Sequence, residues 1–178
     1  MVKNSMAESV VRGAEFMAIA ARTAPKTRGD DFVGIKVISG EDVNKLADAM
    51  IQLGQENKQP KWNRDGENVK KSSAILLLSL EDPKPVGLNC GACGYSRCAD
   101  LKTVEGPEFS GPLCAWRLLD LGIAMGSAVK TASIFNLDNR IMYRVGSIAK
   151  KLGMMEGPMV IGIPVSAEGK NIYFDRKI

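Results

Sequence analysis

Four cysteines are the residues of this chain best suited to chemistry. They are Cys90, Cys93, Cys98 and Cys114, spaced C-x2-C-x4-C-x15-C, and the chain contains no histidine. Three of the thiols fall in one short, glycine-rich loop, and the fourth follows a Gly-Pro pair. Four thiolates gathered in this way bind a tetrahedral metal ion or an iron–sulfur cluster.

The cysteine spacing favours a cluster over zinc. Structural zinc sites commonly use two C-x2-C pairs or mix cysteine with histidine, whereas here only Cys90 and Cys93 form such a pair. Glycines in the loop let backbone amides donate hydrogen bonds to the sulfurs, which stabilises a reduced cluster. The pair Gly111-Pro112 predicts that Cys114 lies near a helix N-terminus, where the dipole favours negative charge. Zinc stays open as the alternative, and a redox dithiol is a further one.

The bulk composition is that of one ordinary soluble domain. The chain has 178 residues, of which 45% are hydrophobic and 25% charged, with a formal charge of +4. Its basic residues are scattered, so we expect no nucleic-acid binding, and the longest weakly charged segment, 114–135, is too polar for a membrane span, so we expect no membrane binding. Without an apolar leader in the first 21 residues, we expect a cytoplasmic protein. Thiols stay reduced in that compartment and a cysteine cluster indicates metal.

Hydrophobic patterns predict a series of helices and strands along the chain. Helices are predicted over 6–21, from a capping box at 39–42 onward, within 55–71, over 113–135 and over 139–152, and strands over 31–39, 74–80, 159–165 and 171–174. This order predicts an α/β fold of the α+β kind, a mixed sheet with helices on both faces. We expect a single domain over 1–178, with 87–114 as an inserted segment.

The cysteine segment resembles a known iron–sulfur domain. The run Asn89-Cys-Gly-Ala-Cys-Gly-Tyr-Ser-Arg-Cys-Ala99, with the later Cys114, is similar to the four-cysteine domain of corrinoid iron–sulfur proteins and of electron-transport-complex B subunits. In that family all four cysteines ligate one [4Fe–4S] cluster. The resemblance therefore implies the same role for the four cysteines here, namely Cys90, Cys93, Cys98 and Cys114.

Much of the remaining sequence resembles the nitroreductase-like flavoprotein fold. The similarity lies in Ala20 to Ile38 and in Val160 to Pro164 with Tyr173 to Arg176. It implies a homodimer with FMN at the interface, and it assigns the flavin contacts to Arg22, Thr23, Lys26, Arg28 and Arg176. The Ser/Asn-x-Gln-Pro-Trp pattern and the paired-arginine motif of that family are absent. The basic residues at 22, 26 and 28 suit an anion cradle, and they equally suit the C-terminus of a helix.

Both resemblances identify the chain as a member of a prokaryotic family of uncharacterised proteins containing a ferredoxin domain. They imply a cytoplasmic redox protein that exchanges single electrons with an unidentified protein partner. If FMN is bound, the chain would be a reductase. The lack of histidine also favours chemistry carried by a cofactor. The alternatives are a carrier or redox sensor that holds the cluster alone, and a structural zinc protein.

Overall fold

A computed structural model describes residues 2–174, which fold into two helical layers around a four-stranded antiparallel sheet, with a separate two-stranded sheet in the cysteine loop, residues 87–114. The helices are α1 (Val2–Thr23), α2 (Glu41–Glu56), α3 (Pro60–Lys70), α4 (Ala115–Ile134) and α5 (Tyr143–Lys151), and the strands are β1 (Val33–Ser39), β2 (Ala74–Leu80), β3 (Val104–Glu105), β4 (Ser110–Gly111), β5 (Asp138–Asn139) and β6 (Met159–Ser166). None of the helices in this part of the chain is long and apolar enough to cross a membrane.

The main sheet has the strand order β1-β2-β6-β5 with helices on both faces, which confirms the predicted fold class. A mixed sheet was predicted, whereas all three strand pairs of the main sheet are antiparallel. The reason lies between β1 and β2. There α2 and α3 form an antiparallel helical hairpin, in which Gly54 faces Trp62 and Gly66 faces Ala47. Two helices between two strands return the chain in the opposite direction.

Strand β2 is the centre of the core, and all seven of its residues are buried. Alternate side chains point to opposite faces of the sheet. Leu76, Leu78 and Leu80 pack with α1 and α4, whereas Ile75 and Leu77 pack with α2, α3 and α5. This explains why the sequence of β2 is apolar without alternation, as expected for a strand that is covered on both sides.

Two local predictions are wrong. Helix α2 begins at Glu41 with Gly40 as its N-cap (φ 61°) and without a capping side chain, because Ser39 still pairs with Ala74 in the sheet. Residues 171–174 form a turn rather than a strand. The side chain of Asn171 accepts the Tyr173 backbone N–H at 3.0 Å, so a local hydrogen bond replaces a sheet partner.

Candidate cysteine site

The cysteine loop, residues 87–114, connects the end of β2 to the start of α4. Its four cysteines are free thiols, and they range from the exposed Cys90 through the half-buried Cys93 and Cys98 to the buried Cys114. Cys114 is the N-cap residue of α4. The predicted position of this thiol at a helix N-terminus is confirmed, and the helix dipole there suits a bound anionic group.

Two glycines shape the loop around Cys93. Gly91 and Gly94 have φ values of 74° and 89°, a region that other residues rarely adopt. The Gly94 N–H donates to the Gly91 carbonyl at 2.9 Å and closes a tight turn. A Cβ atom at either position would meet no atom within 4 Å. The backbone conformation therefore requires glycine here, and crowding does not.

Asn89 and Cys98 are joined by two hydrogen bonds that the cysteine spacing does not predict. The Asn89 backbone N–H donates to Cys98 Sγ at 3.3 Å, and the Cys98 N–H donates to Asn89 Oδ1 at 2.8 Å. Asn89 has a φ of 50°, which asparagine tolerates better than most residues. An asparagine directly before the first cysteine was the only available signal in the sequence. The pair holds the two ends of the three-cysteine segment together.

Cys90 receives hydrogen bonds from both the backbone and a side chain. The backbone N–H of Ala92 and, next in importance, the Trp116 indole N–H lower the pKa of the Cys90 thiol. The distance from Trp116 Nε1 to Cys90 Sγ is 3.3 Å. Trp116 lies in the first turn of α4, so the contact spans 26 residues of sequence. N–H donors directed at a sulfur stabilise its thiolate form.

The donor set fits an iron–sulfur cluster. In residues 2–174 no three histidine, cysteine, aspartate or glutamate side chains are grouped so that they could hold one metal ion. All four thiols lie between residues 90 and 114 and none is in a disulfide, so four sulfur donors are available in this loop. Hydrogen bonds to the Cys90 and Cys98 sulfurs and the helix N-terminus at Cys114 suit an anionic group.

A buried arginine fixes the start of α4 to the chain before the cysteine loop. Arg117 is 1% exposed, and its Nε donates to the Lys84 carbonyl at 2.9 Å. Its Nη1 lies 3.2 Å from the buried Asp120 carboxylate, and its Nη2 lies 2.9 Å from Asp30. The guanidinium thus holds Cys114, three residues away, in register with the segment that leads to Cys90.

The basic turn, residues 22–28, contains four of the five predicted flavin residues. The Arg22 guanidinium donates to Asp31 at 2.7 Å and to the Val33 carbonyl at 2.9 Å. The Lys26 ammonium, which is 4% exposed, donates to the last carbonyls of α1 at Ala21 and Arg22. Burial, the largest single influence on Asp31, raises its pKa, but the cations and backbone around it lower the pKa overall.

Two of the other predicted flavin residues are also hydrogen-bonded to protein atoms. The Thr23 hydroxyl donates to the Ile19 carbonyl at 3.0 Å, and Arg28 Nη1 donates to the Val86 carbonyl at 3.1 Å. Arg176 lies outside the described residues. The basic turn therefore closes the C-terminus of α1 with cations that already contact protein atoms. The assignment of flavin to these residues stays a prediction.

Sequence comparisons connect the chain with ferredoxin-domain proteins. A family model described as an uncharacterised protein containing a ferredoxin domain matches residues 110–176, a stretch that includes Cys114 but not the other three cysteines. An uncharacterised protein of Archaeoglobus fulgidus is 47% identical over 171 residues, which cover 95% of this chain and 92% of that protein.

Solved structures with a similar fold include several nitroreductases. The nitroreductase CinD from Lactococcus lactis in complex with 4-nitrophenol has a TM-score of 0.60 at 14% identity, over 92% of this chain and 79% of that one. A nitroreductase with bound FMN from Desulfitobacterium hafniense has a TM-score of 0.57 at 14% identity, over 89% and 78%. Nitroreductase A from Vibrio parahaemolyticus has a TM-score of 0.57 at 13% identity, and the chain covers 59% of its length. These similarities confirm the nitroreductase-like fold.

Proposed function

The chain belongs to the same family as the Archaeoglobus fulgidus protein, and on that premise we propose that it is an iron–sulfur electron-transfer protein. Residues 87–114 form an inserted segment of a single domain, and one [4Fe–4S] cluster is held by Cys90, Cys93, Cys98 and Cys114. The observation that carries this proposal is the set of N–H groups directed at sulfur. Cys90 and Cys98 each accept one at 3.3 Å within a loop that no disulfide closes.

When bound, the cluster supplies one-electron transfer between a donor protein and an acceptor protein. Residues of the chain hold the cysteines in position. Gly91 and Gly94 hold the tight turn around Cys93, and Asn89 holds Cys98 against the start of the loop. Cys114 presents its sulfur at the N-terminus of α4, where the dipole offsets negative charge. The exposure of Cys90 leaves one edge of the site accessible to a partner protein.

The test is the visible absorption spectrum of protein purified without oxygen, recorded before and after dithionite, with iron, sulfide and zinc contents. We expect a broad brown shoulder that bleaches on reduction, and about four iron and four sulfide per chain. A colourless protein with stoichiometric zinc would overturn the proposal and assign the loop to a structural metal. Brown protein without flavin peaks favours a carrier or sensor that holds the cluster alone.

A second candidate, an FMN-dependent reductase, is favoured by the fold, since one similar structure is a nitroreductase with bound FMN. The two-peaked flavin spectrum of the same sample tests it directly. Because the cations of the basic turn are bound to protein atoms, we assign no step of a reaction to them. If Arg22 does bind flavin phosphate, Arg22→Ala should release the flavin. Full retention would remove that role.

The outer face of α4 supports a homodimer. Its exposed residues include Trp116, Leu119, Ile123 and Ile134, and Lys130 is the only charged residue among the exposed positions of this helix. Gly122 and Gly126 lie on the same face, and a Cβ atom at either would meet nothing within 4 Å. A second copy of the chain can therefore approach closely. Light scattering should give a dimer mass that Ile123→Asp converts to a monomer mass. A monomeric wild-type protein would refute this assembly.

A further inference from the structure

We propose that Trp116 raises the reduction potential of the cluster through the hydrogen bond that its indole donates to Cys90. This inference rests on the proposed cluster site and goes beyond it, because it assigns a role to a residue that is not a ligand. The indole Nε1 lies 3.3 Å from Cys90 Sγ. An indole N–H only donates, so the sulfur must be the acceptor.

The hydrogen bond between Trp116 and Cys90 depends on where these two residues lie in the fold. Trp116 is in the first turn of α4, two residues after Cys114, and Cys90 is the first cysteine of the loop. The hydrogen bond therefore closes the site between its first and last ligands. Arg117, the next residue, is buried and bound to Lys84, Asp30 and Asp120, which prevents this turn of the helix from moving away.

The direction in which Trp116 shifts the reduction potential follows from charge. Reduction adds an electron to the cluster, and part of the added negative charge resides on the ligating sulfurs. A hydrogen bond to a more negative acceptor is stronger, so the indole stabilises the reduced state more than the oxidised state. The donor therefore favours reduction. Because Trp116 is a side-chain donor, it can be removed without altering the backbone of the loop.

The test compares the reduction potential of wild-type protein with that of Trp116→Phe, each loaded with its cluster, by mediated titration. Phenylalanine keeps an aromatic ring and removes the donor. We expect the equilibrium constant for one-electron reduction to fall about tenfold, which corresponds to a potential about 59 mV more negative. Trp62→Phe is the matched control. Trp62 is 6% exposed and packs in the opposite helical layer against Tyr143, so its loss should leave the potential unchanged.

A second measurement covers the case in which Trp116→Phe does not retain its cluster. The chain has two tryptophans, so Trp62→Phe leaves Trp116 as the sole indole fluorophore. Contact with Cys90 predicts that its emission is quenched with the cluster in place and recovers when the cluster is removed. Emission that does not depend on the cluster would show that the indole is not beside the site, and would overturn the inference.

The outcomes separate this inference from the proposed function. Wild-type protein without iron or sulfide contradicts the cluster itself. A fully loaded Trp116→Phe variant with an unchanged potential leaves the cluster intact and overturns the role of Trp116. A fall in potential confined to Trp116→Phe supports both.

Discussion

The cysteine loop and the basic turn both carry groups that suit a charged cofactor, yet the fold treats those groups in opposite ways. In the loop, N–H donors point at the Cys90 and Cys98 sulfurs, and the thiols stay unpaired. In the basic turn, Arg22 binds Asp31, and Lys26 binds the last carbonyls of α1. The N–H donors leave each sulfur able to bind a ligand, whereas the cations of the basic turn are already paired with carboxylate and carbonyl oxygens of the protein. The comparison therefore favours the cysteine loop over the basic turn as the place for a charged cofactor.

The largest effect is expected at the thiols. Cys93→Ser should remove most of the bound iron and sulfide, because one iron would lose its thiolate. Ser96→Ala is the matched control, since Ser96 is exposed in the same loop and should leave the iron content unchanged. Iron and sulfide assays on protein purified without oxygen measure both. Equal contents in wild type and Cys93→Ser would mean that the ligand assignment is incorrect.

The next largest effect is expected at Arg117, the buried arginine that contacts both the basic turn and the segment before the cysteine loop. Arg117→Met should lower the free energy of unfolding by about 3–5 kcal/mol, because the buried Asp120 carboxylate loses its ion partner. Arg97→Met is the control. Arg97 pairs with Asp100 at the surface, with 72% of its side chain exposed, so its loss should have little effect. Urea denaturation compares the two variants, and equal losses would contradict the role of burial.

A smaller effect is expected at Asn89, inside the loop. Asn89→Ala removes the acceptor for the Cys98 N–H and also places alanine at a φ of 50°. Asn89→Gly removes the same acceptor but tolerates the backbone conformation. We expect both variants to release iron to a chelator faster than wild type, with alanine the faster by about tenfold, given a left-handed penalty of about 1–2 kcal/mol. Identical rates for alanine and glycine would mean that the conformation at Asn89 does not matter.

The smallest effect is expected at the basic turn and depends on pH. The pKa of Asp31 is lowered in the folded state, so its contribution to stability is present above the unfolded pKa and is lost as the pH falls through the folded value. Asp31→Asn should therefore flatten the decline in stability on acidification, by less than about 1 kcal/mol for so exposed a pair. Thermal unfolding between pH 2 and about 6 measures this. A steeper acid decline in the variant would contradict the assigned direction.

Prediction from sequence succeeded where a local pattern decides structure. The unbroken apolar run of β2 indicated a strand that is buried on both faces, and Gly111-Pro112 followed by an apolar stretch indicated the helix that Cys114 caps. It failed at residues 171–174, where a strand was predicted but the Asn171 side chain and burial of Tyr173 produced a turn. Strand direction was also missed, because it depends on how α2 and α3 pack together rather than on any one segment.

The sequence by itself determined the chemistry that is available, namely four thiols with cluster-like spacing and glycines that permit a tight loop, and its apolar segments determined most of the helices and strands. The tertiary structure alone decided which charged groups are already bound and which donors reach the thiols. Contacts such as Trp116 to Cys90, Arg117 to Lys84 and Lys26 to the end of α1 join atoms whose positions are set by packing. Such contacts leave little local pattern in the sequence, because a hydrogen bond depends on distance and direction in space.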